Sequence, residues 1–370
     1  MSVSRRRAIA LIGGGVVLAA TASAVTFSAT RTPNAALAPW KAAGLPDDPR
    51  LFALSYAILA PNPHNLQPWV AELVGADTVR IYRDPARALP QTDPFGRQLT
   101  IGMGCFVELF RIAASARGFS VETTLFPDGD APDAPVATLT LTEGAAQDAL
   151  FAHVLNRRST KEPYADRAVD PADLAALAPL AQVVTDAPTV EALRALTLDA
   201  WMIEATTPQT HRESVELMRF GKAEINASPD GIALGGAFLE SLMLAGLLTR
   251  AAQRDTTSTA FQAGVDIYTE MLLATRAYVV TTSPTNTRFD QIAAGGQWLR
   301  LNLTATARGL SMQPVSQCLQ EFPEMAGPYA RAHALLAPGG ETVQMLGRLG
   351  YGPDVPPSPR WPMETRLRNA

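Results

Sequence analysis

The sequence predicts an α+β chain folded as two halves, each with helices flanking a mixed or antiparallel sheet. Three observations lead there. At 370 residues the chain exceeds the usual extent of one domain, so two halves or an internal pseudo-dimer is the first expectation. Hydrophobic residues make up 47% and charged ones only 18%, enough apolar side chain for a sizeable core. A block also returns: Ala116-Arg117-Gly118-Phe119-Ser120 is echoed by Ala307-Arg308-Gly309-Leu310-Ser311, 191 residues on (307 less 116), with Gly104 and Gly295 at the same offset upstream. Each block reads as an apolar helix, a Gly cap and an extended segment. That succession is common, so the echo has a reading without duplication as well.

In chain order, Ser4-Arg5-Arg6-Arg7-Ala8-Ile9 resembles a twin-arginine export signal, and Ala8 to Ala24 is an uncharged, small-residue run ending in Ala22-Ser23-Ala24. Cleavage there would remove three arginines and take the formal net charge from −4 to −7. The run is also just long enough to be kept as a membrane anchor, so residues 1–30 read as signal or anchor. Residues 31–48, rich in Ala and Pro, read as a tether. Helical spacing begins near Pro49, with Leu51, Leu54, Ile58 and Leu59 on one face, and must stop before Pro61. Val70–Val74 and Val79–Tyr82 read as strands around Gly75-Ala76-Asp77; Thr100–Arg117 as a buried helix ended by Gly118; Val121–Phe126 and Val136–Leu141 as further strands. The first half is assigned to residues 49–150 and the second to 151–370. In the second, Met271–Thr282 reads as helix running into strand, Gly295–Ala307 as the echoed helix, and Val343–Leu349 as a final strand or helix end.

Two polar stretches stand out from this apolar background. Asn156-Arg157-Arg158-Ser159-Thr160-Lys161 packs two guanidiniums, a hydroxyl and one of only three lysines into five residues. Such a knot either binds an anion, Arg forks taking phosphate oxygens bidentately, or is an exposed face with weak surface pairs. Ala60-Pro61-Asn62-Pro63-His64-Asn65-Leu66-Gln67-Pro68-Trp69 is a loop dense in side-chain amides. Together they resemble the two FMN-binding signatures of the nitroreductase family, Arg-x-Ser-x-Lys/Arg and Ala-Pro-Ser-x-x-Asn-x-Gln-Pro-Trp, and most resemble its Acg-like branch. In ordinary members the arginine motif comes first and two short chains pair, each flavin lying at their interface. Here the order is reversed, as expected if two family subunits were fused end to end and each half kept one motif. The family's loop Ser is Asn62 here.

The resemblance implies FMN as cofactor, one per chain, in a nitroreductase-like monomer that is internally a pseudo-dimer. Arg157, Arg158 and Arg360, the last in the proline-rich tail Pro356–Pro362, are implied at the phosphate with Ser159, and Lys161 at the pyrimidine edge of the ring. Asn62, Pro63, Asn65 and Gln67 are implied across the pseudo-interface, with His64 either a ring neighbour or proton donor, or else a loop-stabilising side chain. The degenerate counterpart of the loop is expected near Ala205-Thr206-Thr207-Pro208-Gln209. Residues 222–261, with the apolar run Ala237–Leu248, correspond to a lid in the Acg-like branch; an ordinary surface hairpin is the other reading. The implied activity is two-electron transfer from an unknown donor, through flavin, to a small conjugated or nitro-type acceptor. A flavin-holding protein without turnover is the alternative.

Other chemistries find little support. The net charge of −4 opposes a polyanion partner, and 28 Arg among 31 basic residues reflect composition rather than nucleic-acid binding. His64, His153, His211 and His333 have no metal-ligand spacing. Gly102-Met103-Gly104 lacks the third Gly of a dinucleotide turn and reads as a helix start with close packing, and no Gly-x-Ser-x-Gly elbow occurs. Cys105 and Cys318 could pair in an oxidising compartment or stay as buried thiols.

Overall fold

A computed structural model describes residues 30–368. The twin-arginine-like segment and the apolar run behind it lie outside them. The described chain is α+β, with two four-stranded sheets of one topology on either side of a pair of long crossed helices.

Helix α1 (Asn34–Ala42) replaces the expected tether: Ala36, Pro39 and Trp40 are buried. An Ala- and Pro-rich composition suggests a linker, but Trp40 Nε1 donates to Ser358 O (2.8 Å), Ala36 N to Asn226 Oδ1 (3.0 Å) and Arg360 N to Ala36 O (2.8 Å), which hold the segment down. Helix α2 (Pro49–Ala57) is capped by Asp48, whose carboxylate accepts from Arg50 N, and it ends ahead of Pro61 as the sequence requires. Strands β1 (Trp69–Val74) and β2 (Thr78–Arg83) follow, then α3 (Arg97–Ser115), β3 (Phe119–Leu125) and β4 (Pro135–Glu143). These strands form an antiparallel sheet in the order β1-β2-β4-β3.

The second half opens with α4 (Pro171–Leu177) and β5 (Gln182–Val184). Then come α5 (Ala187–Thr206), α6 (Pro208–Glu216), β6 (Met218–Phe220), α7 (Gly221–Ala227), β7 (Ile232–Leu234), α8 (Ala237–Leu244), α9 (Arg250–Arg254) and α10 (Thr259–Leu273). Strand β8 (Ala277–Ser283), α11 (Arg288–Ala307), β9 (Ser311–Pro314), α12 (Ala326–Leu336) and β10 (Thr342–Gly350) complete it. The sheet order is β5-β8-β10-β9, all antiparallel, and β6 pairs with β7 in parallel.

Matched by position, β5, β8, β10 and β9 are the counterparts of β1, β2, β4 and β3. Two expectations change as a result. In the first half, β1 and β2 join through a tight turn at Gly75 (φ 57°), whereas residues 185–276 separate β5 from β8. The insertion is therefore the whole of α5 to α10, of which 222–261 is only a part. And because β5 is the counterpart of β1, the degenerate loop lies just before β5, where Leu177-Ala178-Pro179 parallels Leu59-Ala60-Pro61. The stretch expected to fill that role, Ala205–Gln209, is the junction of α5 and α6.

The halves meet where α3 crosses α11. A Cβ placed on Gly104 would lie 2.1 Å from Ile292 O, and one on Gly295 would lie 2.0 Å from Ile101 O. The contact is reciprocal at the 191-residue offset, the mark of an isologous interface enclosed in one chain. Gly104 thus sits mid-helix, not at a helix start, and the expected close packing is its role. Helix α11 begins at Arg288, seven residues before the expected start, under a capping box of Thr287 and Asp290. The C-terminal tail returns to the first half: Arg368 N donates to Ala71 O at 2.7 Å, and Arg360 reaches the end of α2. Among the described residues no helix is long and apolar enough to cross a membrane.

Candidate cofactor site

The loop after α2 is strained. His64, Asn65 and Gln67 have φ of 47°, 56° and 54°, in the left-handed region that costs non-glycine residues about 1–3 kcal/mol each. Side-chain amides hold it there. Asn62 Oδ1 accepts from Gln67 N (2.7 Å) and Asn62 Nδ2 donates to Ala60 O (3.1 Å). Gln67, fully buried, donates to Pro229 O (2.7 Å) and Asn65 O (3.2 Å) and accepts from Trp361 N (2.8 Å). Asn65 Nδ2 donates to Pro359 O at 3.0 Å. Pro63 and Asn62 pack on α3 at Gly102, where an added Cβ would come within 3.1 Å of the proline ring. The amides of Asn62 and Gln67 thus satisfy the loop's own backbone, and those of Asn65 and Gln67 bond to Pro359, Pro229 and Trp361 of the second half.

The same loop is tied to the insertion through Asp230. Its carboxylate accepts from Arg87 Nη1 (2.8 Å), Arg219 Nη2 (2.7 Å) and Trp361 Nε1 (2.8 Å). Burial alone would raise its pKa, but the bonds from Trp361, Arg219 and Arg87 outweigh it and hold the group below the usual Asp value.

Beside the loop lie three arginines. Arg157 (4% exposed) and Arg360 (2%) are buried, and Arg158 is half-buried. Burial lowers the pKa of Arg157 to about 10 and that of Arg360 to about 9, with repulsion among the three adding to it. All stay cationic at neutral pH. Among the described residues none has a carboxylate hydrogen-bonded to it; their partners are carbonyls and neutral side chains. Arg360 Nε donates to Ile58 O (2.9 Å) and Nη2 to Leu59 O and Ala60 O (both 3.0 Å). Its Nη1 is taken by Asn65 Oδ1, Ser358 Oγ and Pro359 O. Arg360 is thus a cap on the carbonyl end of α2, and with its donors occupied it offers an anion charge rather than hydrogen bonds. Arg157 differs: Nη2 reaches Leu59 O at 3.2 Å, while Nη1 is buried with no partner. Arg158 donates through Nε and Nη1 to Val355 O, Leu155 O and Arg157 O. Trp40 of α1 lies against the cluster, its ring 4.8 Å from the Arg158 guanidinium carbon and 5.8 Å from that of Arg360. Sequence reading missed Trp40, although a lone Trp in an Ala/Pro stretch was the available signal.

Lys161 follows Thr160, whose N–H is fixed to Met312 O on β9 (3.0 Å). Lys161 is exposed, yet desolvation by the protein around it lowers its pKa, with Glu204 opposing the shift. His64 opposite it has a pKa of about 4, from burial first and the Lys161 charge second, so it is neutral at pH 7. Glu204, on α5 and 8% exposed, is pushed up to about 7 by burial; Gln320 Nε2 donates to it at 3.0 Å. A carboxylate alone in the apolar end of α5 was the signal for Glu204. Nearby, Trp201 and Tyr268 stack at 4.3 Å. Cys105 and Cys318 are buried and unpaired, each thiol pushed up to about 12 by burial.

The residues fit a flavin phosphate: a buried guanidinium nitrogen lacks a partner inside a cationic group with no carboxylate bonded to it. Two surface hollows elsewhere, of about 470 and 420 Å³, do not fit, since their arginines are already paired, Arg97 with Glu321 and Arg300 with Glu108.

No family model matches the chain. It is 25% identical over 333 residues to a "Putative NAD(P)H nitroreductase" of Mycobacterium tuberculosis, covering 84% of this chain and 91% of the relative. It is 31% identical over 122 residues to the "Putative NAD(P)H nitroreductase acg" of the same organism, 31% of this chain and 35% of that one. Among solved structures, the FMN-dependent nitroreductase NfnB from Mycobacterium smegmatis, in complex with NADPH, aligns at 18% identity over 58% of this chain and 95% of its own, with a TM-score of 0.37. Together with the two motifs, this sequence likeness supports the resemblance to the nitroreductase family and its Acg-like branch.

Proposed function

We propose that the chain is an FMN-dependent oxidoreductase of nitroreductase type, binding one FMN per chain and passing two electrons to a small conjugated or nitro-type acceptor. The observation that carries this reading is the unpartnered Nη1 of Arg157 within a buried arginine group whose bonds are to carbonyls and neutral side chains. Arg157, Arg158 and Ser159 would hold the phosphate, each charge-assisted bond contributing about 1.5–3 kcal/mol. Arg360 adds long-range charge and fixes the loop. Bound FMN would supply the redox chemistry itself. Lys161 would set a cation at the edge of the ring, where it stabilises negative charge. His64, neutral above about pH 4, adds no second charge there. Glu204, titrating at about 7 near Lys161, is positioned to hold or release a proton at its carboxylate at working pH.

The matched halves support a monomer in which fusion replaces dimerisation; a dimer with two equivalent flavins in sedimentation would contradict that. Relatives are named for NAD(P)H, which is the first donor to test. Export by the twin-arginine route, with the fold facing outward, is proposed from Ser4–Ile9 and is tested by fractionation of cells carrying Arg5–Arg7 replaced by Lys. The decisive experiment on the site is Arg157→Ala with Arg158→Ala. The native chain purifies with a flavin spectrum and the double variant without it; a fully yellow double variant refutes the assignment. Anaerobic reoxidation of the chemically reduced protein by quinones and nitroaromatics then separates turnover from flavin storage, since a storage protein reoxidises no faster than in buffer alone.

A further inference from the structure

We infer that α8 and the turn after it form a bilayer-docking face, seating the outside of the insertion on phospholipid. Between Gly235 and Leu248 the only charged residue is Glu240. In a helix facing water that carboxylate would point outward and the leucines inward. Here the reverse holds. Glu240 is 7% exposed and accepts from Lys222 N (3.1 Å) and Arg31 Nη1 (3.3 Å), while Phe238, Leu244 and Leu247 are 49%, 76% and 44% exposed. A single exposed leucine is ordinary; three exposed large apolar side chains within ten residues, with the segment's one charge turned inward, are not.

The route of the chain indicates the occupant. Residues 8–30 carry no charge, and Ala8–Ala24 is apolar. This segment joins the described fold at the root of α8, where Thr30 O accepts from Lys222 Nζ (2.9 Å) and Arg31 pairs with Glu240. Residues 25–29 are the only spacer, and five extended residues reach no more than about 18 Å. An apolar segment held in a bilayer whose core is about 30 Å thick therefore keeps α8 at the lipid surface. The absence of unpaired basic side chains among Gly235–Leu248 favours insertion by apolar burial over attraction to anionic headgroups.

The test uses the full chain carrying Leu244→Cys, labelled with an environment-sensitive dye. Cys105 and Cys318 are buried, so position 244 is labelled selectively. A second chain carries the dye at Ala131→Cys, in the exposed β3–β4 turn. On addition of phosphatidylcholine vesicles, emission from 244 shifts to the blue and is quenched by brominated acyl chains, while emission from 131 does neither. Phe238→Ser with Leu247→Ser in the labelled chain abolishes the shift. Two results overturn the inference: a blue-shifted dye at 244 already in buffer and indifferent to vesicles, meaning that the chain's own segment or a second copy covers the face; or a dye that stays in water while the chain co-sediments with vesicles. Neither outcome depends on flavin.

Discussion

Replacing Gly104 or Gly295 by Ala sets two effects of opposite sign against each other. Both residues lie inside long helices, where Ala in place of Gly stabilises by about 1 kcal/mol if nothing else changes. The crossing opposes it. The new methyl would lie 2.1 Å from Ile292 O in one case and 2.0 Å from Ile101 O in the other, and both atoms are backbone that cannot rotate away. Restoring ordinary contact requires α3 and α11 to part by more than 1 Å, roughly, which also forfeits dispersion contacts along the crossing. Overpacking costs about 1–3 kcal/mol, and a backbone clash belongs at the upper end, so each variant is expected to lose about 2 kcal/mol net. Once the helices have parted for one methyl, the second costs less. The double variant should lose about 3 kcal/mol rather than 4, a coupling of about 1 kcal/mol. Urea denaturation followed by circular dichroism measures all three. A net gain in either single variant would refute the close crossing, and strict additivity would refute the reciprocity on which the two-half description rests.

Asp230→Ala removes one carboxylate that three donors share; with Arg87 and Arg219 left beside each other the loss should be about 3 kcal/mol by urea denaturation. Because the folded pKa of Asp230 lies below its ordinary value, the native chain holds this contribution above the unfolded pKa and loses it as pH falls through the folded one; the variant should lack that acid limb. Glu204 has the opposite sign: its folded pKa of about 7 exceeds 4.5, so the folded state holds its proton more tightly and stability falls as pH rises from 4.5 through 7. At about 1.4 kcal/mol per pH unit that fall is at most about 3 kcal/mol, and Glu204→Gln should flatten it in melts taken from pH 4.5 to 8. Arg360→Ala strips the donors from the Ile58, Leu59 and Ala60 carbonyls, at about 1–3 kcal/mol for each acceptor left unsatisfied, against which relief of repulsion with Arg157 and Arg158 works; a net loss is expected in the thermal midpoint without added flavin. A variant that loses flavin affinity but no apo stability would restore Arg360 to the phosphate.

Local signals carried far into this structure where a short-range rule governs. Pro61 ends α2, Gly75 turns the first hairpin and Gly118 (φ 81°) follows the end of α3, each by dihedral or steric limits that act over a few residues. Helix and strand patterns marked most of the regular elements, and the 191-residue echo marked the crossing at Gly104 and Gly295. The partners across the chain had no such signature. Gln67 meets Pro229 and Trp361, and Arg360 meets the carbonyl end of α2, over separations of hundreds of residues, so motif spacing showed amides and an arginine but not what they would bond. Trp40 in a linker-like stretch and Glu204 in an apolar helix were visible as oddities; their places beside the arginines and near Lys161 follow from packing alone. The extent of the insertion had the same cause. Only the pairing of β5 with β8 shows that residues 185–276 interrupt a hairpin, because hydrogen bonding between strands is blind to how much chain lies between them.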